Sequence, residues 1–102
     1  MIVTAWSNGK PESNGSGYGI RISKNDRNTY FDRRWAHVVI VTQGNHRFDV
    51  NLSRSFWGSC IELRSRQIGI WFLSNGIAPW QKYSPSKLNL LPIRGNVFKI
   101  KR

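Results

Sequence analysis

One cysteine, two histidines and five acidic residues are all that this chain offers to disulfide, metal or carboxylate chemistry. Cys60 alone cannot close an internal disulfide, which fits a reducing, cytoplasmic setting. Cys60, His37 and His46 lack the spacing of a zinc site, so neither a metal nor any other cofactor is expected. His37 reads as a half-buried strand histidine and Cys60 as a small filler at a loop edge. Among the acids, only Asp49 with Glu62-Leu63-Arg64 has any likeness to the carboxylates and basic residue that hold a divalent ion in nucleases. No Ser-His-Asp grouping, phosphate-binding glycine loop or nucleophile elbow is present. No apolar run approaches the roughly 20 residues of a membrane span, and no basic amphipathic helix appears. Met1 to Lys10 lacks the apolar core and cleavage pattern of a signal peptide, so a membrane partner is not expected.

What the chain does have is positive charge. Sixteen Lys and Arg leave a net +11 on 102 residues, a balance that draws polyanions, nucleic acid first among them. Hydrophobic residues make up 39%, with five tryptophans, enough for a folded globule. At this length the whole chain, 1–102, reads as a single domain with one modest core.

Taken in order, Ile2 to Trp6 is a β-branched first strand. Ser7 to Gly17 is turn formers almost throughout and reads as a mobile loop. Tyr18, Ile20 and Ile22 alternate with Gly19 and Arg21, the period of a half-buried strand. Ser23 and Asp26 make a capping-box-like start to a helix over KNDRNTYF, closed by Phe31. Asp32-Arg33-Arg34 is a charged connector with Trp35 beneath it. Ala36 to Thr42 is an apolar run suited to a strand covered on both faces. Gly44-Asn45 turns the chain, and His46 to Leu52 returns with Phe48, Val50 and Leu52 on one face.

Ser53 to Ser59 is a second polar loop, leading into a short strand at Ile61 to Leu63. Ile68, Trp71 and Phe72 then share one face of a helix of about ten residues, with Ser65 as its cap and Asn75-Gly76 as its stop. Two prolines break IAPWQKYSPSK, where Trp80 reads as a core plug. Lys87 to Leu91 and Val97 to Lys101 make a last hairpin across Pro92 to Asn96. About seven short strands and two short helices imply a mostly β fold. Closure, or near closure, into a barrel would deal with its edges.

The two loops carry the binding candidates. Asn8, Lys10 and Asn14 sit in the first, where asparagine can pair with adenine edges. Arg54, Arg64 and Arg66 bracket the second and its strand, and arginine takes guanine edges bidentately. If both loops project from one side, they form two arms. Phe56 and Trp57 are the aromatics expected outside the core, with at least one of them packed beneath the loop. As a stacking pair they would suit a rival class, an RNA- or single-strand-binding barrel. A small metal-dependent nuclease built on Asp49 and Glu62 is the third class.

Ser55-Phe56-Trp57-Gly58-Ser59, the strand ending at Leu63, the basic turn Arg64 to Arg66, a helix with Trp71 and Phe72, then Ile77 resemble the second half of plant-type B-three DNA-binding domains. Gly19 to Ser23, followed by a short helix ending in Tyr30-Phe31, resembles the first half. The likeness covers about residues 18 to 101. Pro79-Trp80-Gln81-Lys82 stands where the plant pattern has Gly-Asp, and Ile68-Gly69-Ile70 where Gly-Trp is common, which favours a bacterial or phage relative.

The resemblance implies a seven-stranded open pseudobarrel, shared with effector-binding domains of certain bacterial restriction endonucleases, that holds the DNA major groove between two arms. The first arm would be Ser7 to Gly17, with Arg21 and Ser23 at its base. The second would be Ser53 to Ser59, with Arg54, Ser55, Trp57 and Ser59 nearest the bases. The expectation is therefore a non-catalytic, sequence-specific module for double-stranded DNA. It would be either a small regulator or the specificity part of a restriction system, with a nuclease domain or subunit as a possible companion.

Overall fold

A computed structural model describes every residue from Met1 to Arg102. The elements in chain order are β1 (Ile2–Ser7), β2 (Tyr18–Arg21), α1 (Lys24–Tyr30), β3 (His37–Val41) and β4 (Arg47–Asn51). A 3-10 turn (Arg54–Trp57) follows, then β5 (Glu62–Arg64), α2 (Arg66–Ser74), β6 (Lys87–Arg94) and β7 (Val97–Lys101). The strands form one seven-stranded sheet in the order β4-β3-β7-β6-β1-β2-β5. Only β3 and β7 pair in parallel. The sheet curls until its end strands β4 and β5 meet without a ladder between them, which makes it a seven-stranded open pseudobarrel with two short inserted helices.

Alternation sends one side of each strand inward. Val3 and Ala5, Ile20, Val38 and Ile40, Val50, Leu63, Leu88 and Leu90, and Phe98 and Ile100 are all buried. They join Phe31, Phe56 and Phe72 in one continuous cluster. Phe31 stacks on Phe98 with ring centroids 4.8 Å apart, fastening the end of α1 to the barrel. At 7 residues, α1 is too short to persist alone, so that contact and its cap hold it. The Ser23 hydroxyl oxygen accepts from the Asp26 N–H at 3.1 Å. Helix α2 is capped in the same way, Ser65 accepting from the Gln67 N–H at 3.1 Å. It lays Ile68 and Phe72 into the core against β2 and stops at Asn75, with Gly76 left-handed at φ +68°. Trp80 plugs this end edge-on, 5.7 Å from Tyr18 and 6.1 Å from Phe72.

Two expectations about strands are corrected. Strand β3 is covered on one face only: Val38 and Ile40 are buried, while His37, Val39 and Val41 are half-exposed. Its apolar run reflects a strand with neighbours on both edges, β4 and β7. The last hairpin is also tighter than read. Strand β6 runs on through Pro92 to Arg94 and turns at Gly95, with a register irregularity between Pro92 and Arg94. Pro92 is tolerated because β1 leaves β6 at Asn89, so the missing N–H faces no partner strand.

Candidate nucleic-acid interface

Strands β2 and β5 form a short antiparallel ribbon that joins the two loops. Gly19 faces Arg64 and Arg21 faces Glu62 on its outer side, while Ile20 and Leu63 point into the core. The first loop enters the ribbon at Tyr18 beside Arg64, and the second enters at Glu62 beside Arg21, so the loops flank opposite ends of it. They do not rise side by side, as two arms from a single edge would. From Tyr18 to Arg21 the ribbon advances by about 10 Å, at ~3.3 Å per residue. The points where the loops join the ribbon are thus close together compared with the molecule's longest extent of 34 Å.

The floor between the loops is braced. Glu62, with only 5% of its side chain exposed, accepts from Arg64 Nη2 at 2.7 Å and from Arg21 Nη2 at 3.5 Å. Arg64 also lies over Trp6, its guanidinium carbon 4.8 Å from the ring centroid. Trp6 and Arg64 reach each other across Gly19, their common neighbour in the sheet. A β-carbon there would come within 2.5 Å of the Leu63 carbonyl, so the close strand approach requires glycine.

The first loop carries hydrogen bonds of its own. The Asn8 N–H donates to the Gly17 carbonyl at 2.9 Å and closes its neck. Asn8 and Asn14 each accept through Oδ1 from the backbone two residues on, Lys10 and Ser16, at 2.9 Å. Their amide N–H groups stay free, and Lys10 is exposed. Arg66 donates from Nε to the Asn14 carbonyl at 3.0 Å and ties the loop to the start of α2. Gly15 packs backbone to backbone on that helix, and a β-carbon on Gly69 would run into the Gly15 carbonyl. A cleft of about 340 Å³ opens here, lined by Trp6, Asn8, Ser16, Arg64 and Arg66 among others.

The second loop has its own internal support. Phe56 is fully buried, and Trp57 is half-buried, edge-on to Phe56 at 5.1 Å. Trp57 is therefore less free than the sequence suggested, because the guanidinium carbons of Arg33 and Arg27 lie 5.0 Å and 5.8 Å from its ring centroid. Arg54, Ser55 and Ser59 are exposed, as read, and so is Cys60, which is no filler. The Ser55 carbonyl accepts from the N–H groups of Gly58 and Cys60, at 3.0 Å and 3.2 Å. A cleft of about 360 Å³ runs between this loop and the ribbon, lined by Arg21, Ile22, Ser59, Ile61 and Glu62. The Ser23 hydroxyl is close in sequence but engaged as the cap of α1.

The residue that sequence reasoning missed is Arg27. It is 3% exposed, and its Nη1 donates at 3.0 Å to the carbonyls of both Phe56 and Gly58. Its Nε donates to Asn28 Oδ1 at 3.1 Å, and no carboxylate pairs with it. Helix α1 thus reaches into the second loop and fixes its backbone. Further along, the Arg34 side chain and then its backbone N–H hold the Asp32 carboxyl at about 2, below its ordinary 3.8. That bond locks the connector on which Arg33 stands.

Elsewhere, Asp49 lies 4.0 Å from His37, and no three His, Cys, Asp or Glu side chains gather to hold a metal. No helix is long and apolar enough to cross a membrane. No family model, curated protein or solved structure matches this chain.

Proposed function

We propose that this chain is a non-catalytic, sequence-specific module for double-stranded DNA, of the B-three and restriction-effector type, which grips the major groove between its two loops. The observation that carries the reading is the braced ribbon, with Arg21 and Arg64 on its floor and one internally bonded loop at each end. Arg54, Ser55 and Ser59 from one side and Asn8, Lys10 and Arg66 from the other supply the donors and acceptors that read base edges. Lys87, Lys99, Lys101 and Arg47 stand on the outer sheet face without acidic partners and add to the positive field that draws a polyanion. The Glu62 carboxylate is engaged by two guanidiniums, which favours a bracing role over metal chemistry. A regulator or the specificity part of a restriction system, paired with a nuclease domain or subunit, would use the same surface.

Selection from a random duplex library followed by sequencing tests the reading. A defined motif, with single strands and structured RNA competing poorly, is the expected result. Enrichment of no motif, or preference for RNA, refutes it.

A further inference from the structure

Beside the second loop lies a cleft of about 650 Å³ that the groove-gripping surface does not use. Tyr30, Trp35 and Trp57 wall it, and Asn28, Asp32 and Arg33 supply polar groups. Tyr30 is 41% exposed, a large aromatic left open to solvent. The Arg33 guanidinium carbon lies over Trp57, 5.0 Å from its ring centroid, and the pair brings a cation and a second aromatic surface to the cleft. The polar groups are oriented in advance. Asn28 Oδ1 is taken by Arg27, which leaves its amide N–H groups to donate, and Asp32, fixed by Arg34, keeps spare lone pairs to accept. Flat π surfaces, one donor, one acceptor and a cation on a chain of net charge +11 match the chemistry of a nucleobase attached to phosphate.

We infer that this cleft holds one unpaired nucleobase, stacked on the Tyr30 and Arg33–Trp57 surfaces and hydrogen-bonded by Asn28 and Asp32. Trp57 belongs both to the second loop and to the cleft, so a base turned out of a gripped duplex, or one from a neighbouring single strand, has a short path into it. The inference rests on the duplex-binding reading for the first of these sources and not for the second.

Anisotropy titrations with a fully paired duplex, the same duplex carrying one mismatched 2-aminopurine, and the corresponding single strand test it. The comparison includes Tyr30→Ala and Thr29→Trp, the latter filling the mouth of the cleft from an exposed position on α1. The expected result is roughly tenfold tighter binding of the mismatched duplex than of the paired one, with a change in 2-aminopurine emission. Both variants lose that gain while their paired-duplex affinity stays at the wild-type value. A gain confined to the single strand, and lost in both variants, assigns the base to that source and equally supports the cleft. Equal affinity for all three probes, or a gain that survives both variants, overturns the inference. Failure of the wild type to bind the paired duplex counts against the groove-gripping reading, because the variant-sensitive gain is read separately.

Discussion

Arg27→Met is the sharpest test of how the second loop is held. The substitution keeps most of the side-chain volume but removes the donor to the buried Phe56 carbonyl and to the Gly58 carbonyl, both at 3.0 Å. Hydrogen bonds to a charged group contribute about 1.5–3 kcal/mol each, and a buried acceptor left unpaired costs about 1–3 kcal/mol. Against this, the guanidinium is buried with no acid beside it, so removing it recovers part of a desolvation cost. The net loss comes to about 2–3 kcal/mol, which lowers Tm by roughly 10–20 °C in a domain of this size. Total stability is typically about 5–15 kcal/mol, so the variant stays folded at room temperature. On the proposed function, its loop backbone, no longer fixed, should lose sequence discrimination before affinity, since contacts to phosphate do not depend on this loop alone. Thermal unfolding by circular dichroism and repeated duplex selection measure the two effects separately. Arg27→Lys is the control: it keeps the charge but loses the planar guanidinium, whose Nη1 reaches both carbonyls and whose carbon lies over Trp57. If Arg27→Met melts with the wild type and selects the same motif, the support assigned to this residue is wrong.

Gly69→Ala drives a methyl group into the Gly15 carbonyl and lifts the first loop from α2; hydrogen exchange should rise at residues 9–16 while the β3–β4 ladder keeps its protection. Arg54→Ala should relax discrimination at one base pair by roughly 1–3 kcal/mol, whereas Lys99→Ala, on β7 across the barrel from the ribbon, should leave discrimination unchanged in the same duplex selection. Because Asp32 is held at about 2 in the folded protein, below its ordinary 3.8, its bond to Arg34 stabilises above the higher value and is lost as pH falls through the lower one. Asp32→Asn should therefore flatten the acid side of the stability profile between about pH 4 and pH 2 in denaturant titrations, and an unchanged profile would count against that bond.

Much of the barrel was legible because its signals are local. The alternation at Tyr18 to Ile22 and at Phe98 to Ile100, the caps at Ser23 and Ser65, and the left-handed pair Gly44 (φ +92°) and Asn45 (φ +64°) each decide structure within a few residues. What stayed hidden depends on partners distant in sequence. Arg27 lies in the polar run KNDRNTY and looks solvated, because nothing nearby tells that Phe56 and Gly58 will bring their carbonyls to it. Gly15 read as a flexible turn residue until Gly69 met it from α2. Glu62 looked like a possible metal ligand, yet the sheet register sets it between Arg21 and Arg64. Long-range backbone contacts leave only glycines and odd charges in the sequence, and these have several local meanings. Most of the binding candidates are exposed loop or ribbon residues, as a local reading suggests; the groups that hold those loops could not be read locally.

That division bears on how such a surface gains affinity. A loop that must order on binding spends part of each contact on lost conformational freedom, of the order of 0.5–1.5 kcal/mol per immobilised side chain. Here both loops are satisfied internally before any partner arrives: Asn8, Asn14 and Arg66 bond the first, and Ser55 and Arg27 the second. Only Arg21, Arg34 and Arg64 among the lysines and arginines lie within 4.0 Å of an acid, so most of the positive charge has no acidic partner. The scarcity of acids and the self-bonded loops serve the same end. On the proposed function, the field would draw a polyanion to the surface, and loops bonded in advance would turn that encounter into discrimination, because a base edge that does not match would meet groups already engaged with one another.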